Sequence, residues 1–154
     1  MEIDEEVCQL AKVPMFSKLD KSKLRLIAFT SEALHYQPGE ILFKKGEPAD
    51  SAFVVLSGEV EVLADTHGED LVAAVRGANS LIGEMAVITT DPRSATLRAR
   101  DDVEVLRIGD DVFIKLLTEN PEVSLDVMRQ LSSKLAESQT AYETLQDKLR
   151  ASGG

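Results

Sequence analysis

Apolar residues recur along this chain with two periods, and the switch between them marks where the architecture changes. Ile3, Val7, Leu10 and Ala11 are spaced for one face of a helix, so residues 4–12 predict a short amphipathic helix that Pro14 ends. A second helix is predicted within FSKLDKSKLRLIAFTSEA, where Leu24, Ile27 and Ala28 share a face and Asp20 or Ser22 stands at the cap. From about residue 33 to 108 the period drops to two. ALHYQ, EILFKK, SAFVVL, EVEVLAD, DLVAAV, ATLRAR and VEVLRI are short, rich in β-branched residues and often alternating. Turn residues separate them: Pro38-Gly39, Gly46 with Pro48, Ser57-Gly58, His67-Gly68, and Gly77 before Asn79. Short, evenly spaced strands with frequent turns predict a sandwich or a jelly-roll barrel. In GEVEVLAD, Glu59 and Glu61 alternate with Val60 and Val62, so one face is wet and the other faces a core or a cavity.

The helical period then returns. DDVFIKLLTEN places Phe113, Leu116 and Leu117 on one side, and Asn120-Pro121 reads as an N-cap followed by a first-turn proline. Residues 121–150 contain neither Gly nor Pro, enough for a helix of roughly 45 Å. Met128, Leu131, Leu135, Tyr142, Leu145 and Leu149, with Ser138 in the gap, keep a 3, 4, 3, 4, 3, 4 spacing. That is a heptad seam. It predicts a parallel dimer through 128–149, with packing back on the barrel as the alternative. The closing SGG reads as a frayed tail.

Composition narrows the choice of function. The 154 residues suit one domain with a core that needs no staple. A net charge of -10 repels nucleic acid and anionic membranes, so neither is an expected partner. Cys8 is the only cysteine, which suits a reducing cytoplasm. The acidic start MEIDEEVCQL is unlike a signal peptide, and no apolar run reaches membrane-spanning length. His35 and His67 stand far apart with no His-x-His cluster, so no metal site, catalytic site or cofactor is expected. His67 and the Lys44-Lys45 pair read as solvated turn residues, His35 as structural.

The stretch LIGEMAVITTDPRSATLRA, residues 81–99, carries the candidate chemistry. Gly83 lets a ligand or another backbone approach. EMAV forms one helical turn whose first N–H groups have no partners within it and suit an anion. Arg93 offers a planar fork matched to phosphate. Glu84 would repel phosphate, so its place is to accept from hydroxyls. A phosphate joined to a hydroxyl-bearing sugar is a nucleotide. The plainer reading is a structural ion pair between Glu84 and Arg93.

IGEMAVITTDPRSAT closely resembles the phosphate-binding cassette of cyclic nucleotide-binding domains, the family of the catabolite activator protein and the protein kinase A regulatory subunits. VPMFSKL and PGEILFKKGEPADSAFVVLSGEVEV fit the same family, and the resemblance spans about residues 12–140. It implies an α+β, mainly β fold: a jelly-roll barrel of about eight strands with N-terminal helices, a short cassette helix and a long C-terminal helix. The corresponding boundaries are 1–32 for the helical segment, 33–109 for the β-roll with its cassette at 82–95, 110–150 for the C-terminal helices and 151–154 for the tail, one domain in all. It implies that Glu84 accepts from the ribose 2′-hydroxyl and Arg93 pairs with the cyclic phosphate. Gly83 permits the approach, and the backbone amides of Met85, Ala86, Ser94 and Ala95 add donors. Ile82, Val62 and Val72 line the ribose or base pocket. Tyr142, with Ser138 and Gln139 beside it, closes over the base.

Ser94 follows the arginine where cyclic GMP-selective members often carry Thr, so the ligand expected is cAMP, with cGMP open. The function implied is a cytoplasmic sensor, not an enzyme, that signals by moving its C-terminal helix to a second copy or to an unidentified effector protein. Two alternatives stand beside it. One is a nucleotide-blind scaffold or dimerisation domain of the same fold. The other is a regulatory fragment of a channel, a kinase or a transcription factor. Met1 before an acidic helix reads as a natural start, and the chain leaves no room after its long helix for a helix-turn-helix.

Overall fold

The computed structural model describes residues 3–66 and 69–133. Helix α1, Ile3–Leu10, turns its Val7 and Leu10 inward, both almost fully buried, while Ala11 falls beyond the helix end and is exposed. A single 3-10 turn, Pro14–Phe16, follows. Helix α2 is shorter than its sequence predicts, Lys21–Thr30, because Asp20 takes the cap: its carboxylate accepts from the Lys23 amide at 3.0 Å. Ser22 supports that cap by donating to Asp20 Oδ1 at 2.7 Å. Leu24, Ile27 and Ala28 form the buried face.

Eight antiparallel strands follow: β1 Glu32–Tyr36, β2 Ile41–Phe43, β3 Ser51–Ser57, β4 Val60–Thr66, β5 Glu69–Arg76, β6 Leu81–Ile82, β7 Thr96–Ala99 and β8 Val103–Gly109. They form two four-stranded sheets, ordered β1-β8-β3-β6 and β2-β7-β4-β5, a jelly roll, one of the two architectures that the alternation allows. The two-residue β6 has no period to read; it pairs Phe53 with Ile82 and Val54 with Leu81 and carries the chain to helix α3, Glu84–Thr89.

Strand β3 holds both halves of the core together. Ala52, Val54 and Leu56 join the helices, packing with Leu10, Phe16, Ile27 and Phe113, while Phe53 and Val55 face into the barrel with Val60, Leu97, Val103 and Val105. A strand covered on both faces reads as a continuous apolar run, as SAFVVL does.

Helix α4, Asp110–Glu119, buries Phe113, Leu116 and Leu117 on the first of these cores. Asn120 occupies the junction differently from its predicted cap role. Its backbone carbonyl accepts the first amides of the next helix, Val123 at 3.0 Å and Ser124 at 3.1 Å. Its side chain reaches back instead, donating to the Leu116 carbonyl at 2.7 Å and accepting from the Lys23 ammonium. Packing against α2 takes the amide away from the cap. Helix α5 occupies 121–133, up to the end of the described residues. Val123 and Val127 are buried and Leu131 packs on the core, whereas Met128 is 62% exposed. The first two members of the predicted seam therefore divide between core and solvent. Leu135, Ser138, Tyr142, Leu145 and Leu149 lie outside the described residues.

Candidate functional site

Gly83 stands between β6 and α3 with φ +78°, and its lack of a side chain leaves the first turn of α3 without a side-chain cap. Glu84 opens that turn, where a carboxylate complements the helix dipole. At the other end Thr90 takes a left-handed conformation, and its amide and that of Asp91 close on the Ala86 carbonyl. The chain then reverses toward Arg93. Two backbone bonds clamp Arg93 to the β2–β3 loop: its amide donates to the Glu47 carbonyl at 2.8 Å, and its carbonyl accepts from the Gly46 amide at 2.8 Å.

The Arg93 side chain is 3% exposed. Nη1 donates to the Gly83 carbonyl at 2.8 Å and Nη2 to the Ser51 carbonyl at 2.5 Å. Its Cζ lies 4.1 Å from the Phe43 ring centroid and 5.9 Å from that of Phe53, so two π faces support the cation. Among the described residues no carboxylate pairs with it, and Nε has no partner. Burial lowers its pKa from the ordinary arginine value, and the nearby charges of Asp50 and Glu47 oppose that shift. Arginine nonetheless keeps its proton in proteins. Arg93 thus stands as a largely desolvated cation near Asp50 and Glu47, with no carboxylate in hydrogen-bond contact among the described residues.

A cavity of about 250 Å³ opens beside this group. It is lined by Val62, Ile82, Gly83, Glu84, Met85, Ala86, Arg93, Ser94 and Ala95, so one cleft gathers most of the residues singled out from the sequence. Phe43, Arg76, Leu81, Thr96 and Leu97 also line it and were not foreseen. Leu97 and Phe43 belong to alternating strands that mark inward positions but not which cavity they meet. Arg76 carried no signal at all. Val72 corrects an expectation: it does not line the cleft and is 49% exposed. A register shift between Val62 and Leu63 opposes Val72 to Leu63, while Val62 faces Ala74. Tyr142 lies outside the described residues.

A wider groove of about 820 Å³ runs on another side of α3, bordered by Pro48, Val87, Pro92 and Ile114 and by the carboxylates of Asp91, Asp110 and Asp111. It includes neither Arg93 nor Glu84 and suits an anion poorly. Among the described residues no three His, Cys, Asp or Glu side chains assemble as a metal site, and no helix is long and apolar enough to cross a membrane.

The jelly roll sets the buried Arg93, the first turn of α3 and Glu84 around one cleft. Residues 33–120 match the family model described as the cyclic nucleotide-binding domain, and the chain belongs to that family. It is 32% identical over 108 residues to a cAMP-dependent protein kinase regulatory subunit from Emericella nidulans, covering 70% of this chain and 26% of that protein. To a cyclic nucleotide-gated potassium channel from Rhizobium etli it is 34% identical over 115 residues, covering 75% of this chain and 31% of the channel. The chain thus spans about a quarter to a third of these relatives. Among solved structures, a cyclic nucleotide-binding-like protein from Brucella abortus superposes with a TM-score of 0.65 at 29% identity, covering 75% of this chain and 99% of that one.

Proposed function

We propose that this domain is a cytoplasmic cAMP receptor, with cGMP as a weaker ligand, that signals without catalysis through its C-terminal helix. One observation carries the reading: Arg93 is a buried cation with no carboxylate partner among the described residues, beside the uncapped first turn of α3. A guanidinium has five N–H donors. The carbonyls of Gly83 and Ser51 take two, which leaves donors for the cyclic phosphate. Glu84 accepts from the ribose 2′-hydroxyl, and the amides of Met85, Ala86, Ser94 and Ala95 complete the phosphate seat. Ile82 and Val62 pack on the sugar. Tyr142 closes over the base. Ser94, in place of Thr, gives the guanine amino group a poorer partner and favours cAMP.

The output is movement of α5 relative to the barrel, a shift between two helix positions. Its readout is a homodimer formed through the heptad positions of 128–149, or an effector protein. In a longer chain the same movement would act on a kinase, channel or DNA-binding partner domain.

The engagement of both Nη atoms by backbone carbonyls favours one competitor, a nucleotide-blind scaffold in which Arg93 only ties β3 to α3. Calorimetric titration decides between them. The chain is unfolded, stripped of carried ligand, refolded and titrated with cAMP and then cGMP. Saturable micromolar or tighter binding at one site per chain supports the receptor. No heat from either nucleotide, with a normal melting curve, leaves the scaffold.

A further inference from the structure

We propose that Arg76 reads the purine base of the bound nucleotide and is the residue that admits a 6-oxo purine beside adenine. The inference rests on the receptor reading above. In an antiparallel pair, residues directly opposite each other point to the same side of the sheet. Arg76 is opposite Val60, and Ala74 is opposite Val62. Val60 is fully buried in the barrel, and Val62 lines the cleft. The register therefore sets a charged residue on the same side of the sheet as Val60, at the C-terminal end of β5, and its exposed side chain borders the cleft.

Arg76 has little else to hold it. Its one side-chain hydrogen bond among the described residues is Nη1 to the carbonyl of its neighbour Val75, a long 3.3 Å, and no carboxylate there pairs with it. It borders the 250 Å³ cleft and also a space of about 270 Å³ that Pro14 and Gln130 of α5 help to line. Arg76, Leu81 and Glu84 belong to both spaces and form the rim between them. A nucleotide with its phosphate on Arg93 and its 2′-hydroxyl on Glu84 sends its base past that rim, toward Arg76.

The chemistry at that point is asymmetric. A guanidinium only donates. Guanine and hypoxanthine present two adjacent acceptors, N7 and O6, whereas adenine presents N7 beside an amino group that also donates. Arg76 therefore makes two bonds to a 6-oxo purine and one to adenine. It narrows the preference for cAMP that Ser94 sets.

The test titrates the ligand-stripped wild-type chain and Arg76→Ala with cAMP, cGMP and cIMP. Arg76 is exposed, so the variant is expected to melt as the wild type does. The expected result is a loss for cGMP and cIMP that exceeds the loss for cAMP by at least about 5-fold. Parallel behaviour of cIMP assigns the effect to O6 and N7, because cIMP lacks the 2-amino group that Ser94 would meet. Equal changes for all three ligands, or none, overturn the assignment while leaving the receptor standing. A wild-type chain that binds none of the three overturns both.

Discussion

The Gly83 carbonyl oxygen lies 2.8 Å from Arg93 Nη1, and a Cβ placed on Gly83 would come within 2.5 Å of that same nitrogen. Glycine is required there twice, once for its φ of +78° and once because the arginine occupies the room a side chain needs. Gly83→Ala is therefore expected to destabilise the fold by about 1–3 kcal/mol and to displace the guanidinium. Thermal melting together with cAMP titration checks this. Wild-type affinity in the variant would mean that the Gly83 contact does not position Arg93.

Arg93→Ala is expected to weaken cAMP at least about 30-fold, since it removes the charge proposed to face a desolvated phosphate. Arg93→Lys keeps a charge but loses the fork that spans the Ser51 and Gly83 carbonyls, and should also bind poorly. A folded Arg93→Ala with unchanged affinity would end the phosphate assignment.

Glu84→Ala should weaken cAMP yet hardly alter binding of the 2′-deoxy analogue, because the proposed contact is to the missing hydroxyl. Parallel titrations of both ligands read this directly. Equal losses would rule out the hydroxyl role and point to the start of α3 itself.

Met128 and Leu131 separate the proposed dimerisation from folding. Met128 is 62% exposed and Leu131 packs on the core of its own chain. Met128→Asp is expected to lower the sedimentation coefficient toward that of a monomer without shifting the melting temperature. Leu131→Asp should destabilise the fold by about 2–5 kcal/mol, the range for loss of a large core side chain. A dimer unchanged by Met128→Asp would place the contact elsewhere.

Glu6 is 5% exposed, and burial raises its pKa above the ordinary carboxylate value. Its contribution to stability is fully present below the unfolded value, about 4.3, and is lost as pH rises through the higher folded value. Glu6→Gln stays neutral and keeps that contribution. The variant should melt close to the wild type near pH 4 and progressively above it toward pH 7. Melting curves that remain parallel across that range would show that Glu6 ionises in the fold as it does in the open chain.

The chain's local pattern determined much of this molecule. Period-two runs broken by glycine and proline turns are short-range properties; they predicted a sandwich or a jelly roll, and the cassette resemblance chose between the two. Glu84 and Arg93 stand nine residues apart on one short loop–helix–loop, so their meeting in one cleft was legible from IGEMAVITTDPRSAT alone. Tertiary structure decided what depends on residues far apart in sequence. The carbonyl of Ser51, 42 positions away, and the ring of Phe43 complete the seat of Arg93, and neither carries a motif. A register shift in the β4–β5 pair turned Val72 aside, while pairing with Val60 brought Arg76 in. The side chain of Asn120 left its predicted cap for Leu116 and Lys23 because α2 packs there. Periodicity reports which face of an element is buried. Only the register and the packing of whole elements decide which distant groups that face will meet.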